Sequence, residues 1–300
     1  MPAVPRSDRA AAVARPPYRP ARWETVPCPC CGSSAFVPYE RFGDELQYTY
    51  VLCRDCRLVY QSPRPRFDAD FLQAAYGEYF AFEDGFKLSD TVGGREHRGW
   101  QDEVAEILEF DEAHTALLDV GACMGEFLYV ARDHYQRVAG VEVSTKMAAF
   151  TREALGIEVW QDTFDHVTTT QRFSCIHLSH VLEHIPNPAE WLAKARELLL
   201  PGGVIVINVP HMFSLDRKVK LFLKRIGVRS GRWSEAWRTP DHLFEPTIPA
   251  MLRFFDAQGF EVVSYYTYSR SDAAARTLWG RIYRRYLKLG SNLRFYIRPR

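Results

Sequence analysis

The 300-residue chain predicts an α/β fold, a mostly parallel sheet flanked by helices, preceded by a small module stapled by metal. Three observations predict it. The apolar strand Leu117-Leu118-Asp119-Val120 runs into the glycine turn Gly121-Ala122-Cys123-Met124-Gly125, then into an amphipathic helix and a second short strand, Val138 to Val143. The same alternation of apolar strands and amphipathic helices continues to the end of the chain. Ahead of it, two C-x-x-C pairs stand 21 residues apart.

Composition agrees. With 47% hydrophobic and 14% aromatic residues, the chain can bury a large core, and its length suits one domain of about 200 residues plus something smaller. No apolar run approaches the roughly 18 residues of a membrane span and no signal-like segment opens the chain, so the expectation is a soluble cytoplasmic protein. The net charge of +1 hides an asymmetry, because residues 213–240 hold eight Lys or Arg against two acids and residues 270–300 hold nine against one. Such segments suit an anionic substrate, a membrane surface or RNA, or are simply solvated helix faces.

Taken in order, residues 1–22 carry five Arg, many Ala and Pro and few large apolar groups, and are expected to be a disordered tail. Residues 23–62 form the metal module. Cys28, Cys31, Cys53 and Cys56 make two knuckles that can enclose a tetrahedral Zn²⁺, with Cys30 as a rival for the first knuckle. Tyr39, Phe42, Tyr48, Tyr50 and Val51 alternate as a β-hairpin would, so the module resembles a zinc ribbon. With four protein ligands the zinc would be structural, leaving no open position, and the segment would draw its folding energy from it. Residues 63–94 follow as a linker with the bend Ser62-Pro63-Arg64-Pro65 and an aromatic cluster that includes Tyr76 and Tyr79.

A helix is expected over 95–110, with Trp100, Val104, Ile107 and Leu108 on one face. After the strand at 117–120, Ser144 caps a helix running to about Leu155, and Ile157 to Trp160 makes a third strand. The fourth, Phe173 to Leu178, runs into Ser179-His180-Val181-Leu182-Glu183-His184-Ile185-Pro186-Asn187-Pro188. Pro188 opens a helix to Leu199, Pro201-Gly202-Gly203 stops it, and Val204 to Val209 is the fifth strand. Residues 213–240 are an insertion in which Leu215, Val219, Phe222, Leu223 and Ile226 form an apolar stripe among bases. A substrate lid that recognises phosphate, a membrane-surface helix and a docked helix all fit that pattern. Beyond it come a helix at 248–258, a strand at 260–268, a basic helix at 273–289 and an antiparallel last strand at 292–297.

The chemistry lies in the turn. Gly121 and Gly125 let the backbone bend sharply and approach a ligand closely. Glu142, at the carboxyl end of the neighbouring strand, can accept both ribose hydroxyl protons. The turn is G-x-x-x-G, not G-x-G-x-x-G, and Asp119 precedes it. A carboxylate there repels a pyrophosphate and suits a cation, as in the ammonium and sulfonium of S-adenosylmethionine.

Asp119-Val120-Gly121-Ala122-Cys123-Met124-Gly125 resembles the first motif of class I S-adenosylmethionine-dependent methyltransferases, D-h-G-x-G-x-G, with Cys123 in place of the middle glycine. That departure asks the backbone at 123 to avoid strongly positive φ. The V-L-E-H-I-P-x-P stretch is similar to the branch that includes ubiquinone-biosynthesis O-methyltransferases, and L-x-P-G-G-x-h-x-h is typical of the family. The resemblance implies a Rossmann-like, mostly parallel seven-stranded sheet with an antiparallel last strand, the methyltransferase domain spanning 95–300. It also implies a cofactor site at Asp119, Gly121, Ala122, Gly125, Glu142 and Val143, with Asp162 toward the adenine amino group, Phe164 against the ring and His180 in the pocket wall. The segment before the first helix would close over the cofactor, Tyr76 and Tyr79 facing the sulfonium.

Methyl transfer is an in-line displacement, so holding the nucleophile and the methyl in line supplies most of the catalysis. A hydroxyl nucleophile needs a base, and His184 and His242 are preferred to His180 for that role. The reading is methylation, chiefly O-methylation, of a small-molecule or glycan-precursor acceptor such as a sugar, glycolipid or natural product. RNA methylation is an alternative, against which the ribbon offers only Arg41, Arg54 and Arg57 over residues 28–60. A second alternative, a non-catalytic binding protein with a degenerate domain, has only Cys123 in its favour.

Overall fold

The computed structural model describes residues 22–42, 48–67, 95–225, 242–268 and 290–300. The expected tail, the aromatic cluster with Tyr76 and Tyr79, the later half of the insertion and the basic helix at 273–289 lie outside the described residues. Within them, β1 (Trp23–Glu24), β2 (Phe36–Phe42), β3 (Tyr48–Cys53), β4 (Val59–Gln61) and β5 (Arg64–Pro65) come first, then α1 (Arg95–Leu108). Next are β6 (Ala116–Val120), α2 (Glu126–Ala131), β7 (Arg137–Val141), α3 (Thr145–Leu155), β8 (Glu158–Trp160), β9 (Phe173–Ser179) and α4 (Pro188–Leu198). The chain continues through β10 (Leu199–Pro210), α5 (Leu215–Arg225), β11 (Phe244–Glu245), α6 (Ile248–Ala257), β12 (Phe260–Tyr268) and β13 (Asn292–Pro299).

Seven strands form one sheet in the order β12-β13-β10-β9-β6-β7-β8. Strands β10, β9, β6, β7 and β8 are mutually parallel, and β13 runs antiparallel between β10 and β12. Helices on both faces explain the near-continuous apolar runs: every residue of β6 and six of the seven in β9 are buried. The strand order reverses between β6 and β9. Ligands in such sheets bind outside the carboxyl ends of the strands at that point.

Local chemistry sets the element ends. Ser144 accepts a hydrogen bond from Met147 N and caps α3; Thr247 does the same for α6 through Ala250 N. One boundary differs from expectation: β10 starts at Leu199, paired with Phe173, and its register slips before Val204. Pro201-Gly202-Gly203 therefore makes an irregularity inside a strand, and the helix has already ended.

The metal module shares the domain's core. Strand β11 pairs with β4 through Phe244↔Tyr60 and Glu245↔Val59, making a four-stranded sheet in the order β11-β4-β3-β2. Cys53, Leu58 and Tyr60 pack in one cluster with Leu243, Phe244, Met251 and Phe254. Thr247 Oγ1 donates to the Arg57 carbonyl at 3.3 Å. A segment read as having little core of its own thus borrows one from residues two hundred positions away, which no local pattern reports. On α5 the stripe Leu215, Val219 and Phe222 stays outward, with Phe222 61% exposed. Among the described residues no helix is long and apolar enough to cross a membrane.

Candidate functional site

The glycine turn follows β6 at the sheet's carboxyl edge. Gly121 has φ 77° and Gly125 φ 73°, conformations that suit glycine alone. Space also requires Gly121, since a Cβ there would stand 2.5 Å from Val181 Cγ2. The turn and the loop after β9 are thereby pressed together. Cys123 departs from expectation with φ 48°. Its N–H donates to Glu142 Oε2 at 2.8 Å, a bond that helps hold a non-glycine residue in the left-handed region.

Glu142 ends the second parallel strand, 4% exposed. Its Oε1 accepts from Ser144 N at 2.8 Å, so each oxygen keeps a lone pair for a further donor. Burial raises its pKa against those backbone bonds. Beside it Val143 is 47% exposed, an apolar side chain open at the carboxyl edge. An exposed apolar group next to a buried, incompletely used carboxylate fits a nucleoside, base on Val143 and ribose on Glu142. Ala122 is buried under the turn. Asp162 is exposed at the next strand's end, accepting from Thr163 N at 2.8 Å. Phe164 departs from expectation: it has no exposed surface and packs edge-on against Trp191 at 5.4 Å. Its ring belongs to the core, in one cluster with Trp191, Leu192 and Phe173.

Asp119 is 4% exposed and lies 2.8 Å from His177 Nδ1. The opposite ring nitrogen meets Glu103 Oε1 at 3.1 Å. Flanked by two carboxylates, His177 is raised to about 9 although burial alone would lower it. Glu103 also accepts from Asn208 at 2.6 Å and pairs with Arg294 at 2.6 Å. Burial works to raise Glu103, and Arg294 with His177 outweighs it, bringing it down to about 2. Arg294 reaches on to Glu106 at 2.8 Å, which Tyr266 also contacts. The Asp119 carboxylate is thus one end of a buried chain of charges beneath the carboxyl edge, already engaged with an imidazole. Sequence reading missed His177, Glu103 and Arg294; the available signal was a histidine inside a buried strand, Phe173 to Ser179.

The second cluster sits after β9. Leu182–His184 is a single 3₁₀ turn, and it places Glu183 inside with 0% exposure. Neither carboxylate oxygen has a hydrogen-bond partner. His180 Nδ1 lies 3.4 Å from Oε1, and His180 holds φ 56°. His184 and His242 rings meet edge to face at 4.7 Å. Burial favours the neutral acid at Glu183, and the imidazoles of His180, His184 and His242 outweigh it, lowering its pKa. The structure therefore brings His180, His184 and His242 together around a carboxylate the site reading did not single out, although it stood in the quoted V-L-E-H stretch.

His242 owes its place to the ribbon. Its carbonyl accepts from Tyr50 Oη at 2.9 Å and Gln61 Nε2 at 2.7 Å, and Leu243 N donates to the Glu183 carbonyl at 2.9 Å. In the ribbon itself, Cys28, Cys31, Cys53 and Cys56 bring their sulfurs within 4.8 Å of one another, with Cys28 to Cys56 at 3.4 Å and Cys31 to Cys53 at 3.6 Å. Sulfurs about 2.3 Å from a tetrahedral Zn²⁺ stand roughly 3.8 Å apart, so the set fits the ion. Cys30 is buried and stands outside this group of four.

A family model described as a methyltransferase domain matches residues 93–265. No curated protein matches the chain. Among solved structures, a S-adenosylmethionine-dependent methyltransferase from Clostridium acetobutylicum ATCC 824 is similar at 10% identity, covering 75% of this chain and 98% of that one with a TM-score of 0.49. Magnesium protoporphyrin IX methyltransferase from Synechocystis PCC 6803 is similar at 10% identity, covering 77% and 97% with a TM-score of 0.49. The glycopeptide N-methyltransferase MtfA, complexed with S-adenosyl-L-methionine, is similar at 16% identity, covering 66% and 87% with a TM-score of 0.44.

Proposed function

The chain belongs to the methyltransferase-domain family, with the class I S-adenosylmethionine-dependent fold, and from that premise we propose that it methylates a hydroxyl on a small-molecule or glycan-precursor acceptor. S-adenosylmethionine would supply an electrophilic methyl on a sulfonium. Glu142 and Val143 are assigned to its ribose and base, with Asp162 toward the adenine amino group. Gly121 and Gly125 shape the turn beneath it. Asp119 is assigned to the floor beneath the donor's cationic end, its charge shared with His177.

The observation that carries the acceptor side is the imidazole cluster around Glu183. Gly121 abuts Val181, so the cluster borders the donor turn. His184 and His242 are assigned to the acceptor's hydroxyl, positioning it and handling its proton. The four ribbon cysteines are assigned to a structural Zn²⁺. The bases of α5 would favour a phosphate-bearing acceptor, and the cytoplasm is the proposed location.

The test is transfer of labelled methyl from S-adenosylmethionine to a panel of nucleotide sugars, glycolipids and phenols. The expected result is one acceptor class turned over, with His184→Ala and His242→Ala each lowering kcat about 10²–10⁴-fold while donor affinity is kept. Turnover of RNA alone, or loss of donor binding in both variants, would contradict the assignment.

A further inference from the structure

We propose that Glu183, His184 and His242 hold a divalent transition-metal ion, separate from the four-cysteine set and open to ligands at the carboxyl edge of the sheet. The proposal deepens the reading of this cluster as the acceptor side: with the ion bound, the two imidazoles would act on the acceptor's hydroxyl through the metal, which would lower its pKa in place of a direct base, and its test is independent of turnover.

Three observations carry it. The first is the donor set: one carboxylate and two imidazoles offer ligand atoms all within 4.8 Å of one another. Two histidines and one carboxylate on adjoining segments are the ligands that open Zn²⁺, Fe²⁺ and Mn²⁺ sites use. The second is the state of Glu183, 0% exposed with both oxygens lacking a hydrogen-bond partner. A buried carboxylate facing only a 3.4 Å approach from His180 Nδ1 is costly to keep, and a bound cation would satisfy both oxygens. The third is how firmly the backbone is set. Glu183 O binds Leu243 N at 2.9 Å, while Tyr50 and Gln61 grip the His242 carbonyl. The two segments that supply ligands are therefore fixed to each other before any ion arrives.

The geometry also leaves room. Glu183 lies inside, while His184 and His242 are only half-buried, so an ion between them would have its remaining coordination positions toward solvent. An oxygen-bearing acceptor could take one of them and be held beside the donor turn. The ribbon then has a purpose beyond its own zinc, since two of its side chains support the segment carrying His242.

The experiment uses the full chain loaded with one equivalent of Zn²⁺, then titrated with Mn²⁺ and followed by electron paramagnetic resonance of the free ion and by calorimetry. Mn²⁺ does not compete for a four-thiolate site. The expected result is one further equivalent bound by wild type, weakened at least about 10-fold in Glu183→Gln and in His242→Ala. Both variants should keep the first Zn²⁺ equivalent, the wild-type circular dichroism and S-adenosylmethionine binding. No second equivalent in wild type, with Mn²⁺, Co²⁺ or Zn²⁺ as the probe, would overturn the proposal; so would equal Mn²⁺ binding by both variants, which would mark a surface site. Either failure leaves donor binding and methyl transfer to be judged by their own assays.

Discussion

His177 and Glu103 are the two side chains whose charge states depend most on the fold. Glu103, brought from 4.5 to about 2, contributes stability that is fully present above about pH 4.5 and is lost as pH falls from there toward 2. His177, raised from 6.5 to about 9, contributes stability that is fully present below about pH 6.5 and is lost as pH rises toward 9. Denaturant midpoints measured across pH should therefore peak between these limbs. His177→Ala should flatten the alkaline limb and lower stability by about 3–5 kcal/mol, because Asp119 loses its buried partner while Glu103 keeps Arg294 and Asn208. A variant with wild-type stability and an unchanged alkaline limb would show that the ring is not charged. None of this was legible in the sequence, where His177 is one of several polar letters in a strand and its partners lie on α1, β6 and β10. Glu142 was legible, because the acid after a second strand has a fixed place once the glycine turn is recognised. Cys123 was misread. Sequence predicts avoidance of positive φ at a non-glycine, yet a hydrogen bond to Glu142 stabilises it there, and that bond is visible only in three dimensions.

At the scale of elements, the alternation of strands and helices was readable because parallel strands buried on both faces are apolar throughout, and because Ser144 and Pro188 mark helix starts. The ribbon was readable as a cysteine pattern but not as a partner. Its pairing with β11 joins residues near 60 to residues near 244, and long-range strand pairing leaves no local trace. The consequence is testable. Removing zinc with a chelator should loosen β2–β4, release β11 and free the segment holding His242. Thermal unfolding should then begin about 5–10 °C lower, equivalent to a few kcal/mol for a domain of this size, and methyl transfer should fall with donor binding largely kept. An unchanged melting curve and undiminished turnover after chelation would mean the module is held by its shared core alone.

For the whole molecule, the sheet order places the reversal between β6 and β9, and there the glycine turn and the histidine cluster meet across Gly121 and Val181. Fold class and the glycine turn followed from patterns within about thirty residues, whereas the strand order came only with the structure. The histidine cluster needs His242 to come beside His184, a closure that spacing along the chain does not encode. Everything proposed for this edge of the sheet requires that it take a cationic methyl donor. Calorimetric titration of the full chain with S-adenosylmethionine, and with NAD as the phosphate-bearing comparison, tests this. One equivalent of S-adenosylmethionine should bind, with no detectable NAD, and Glu142→Ala should reduce affinity at least about 10-fold, or 1.4 kcal/mol. A folded wild-type protein that ignores S-adenosylmethionine, or that prefers NAD, would contradict it.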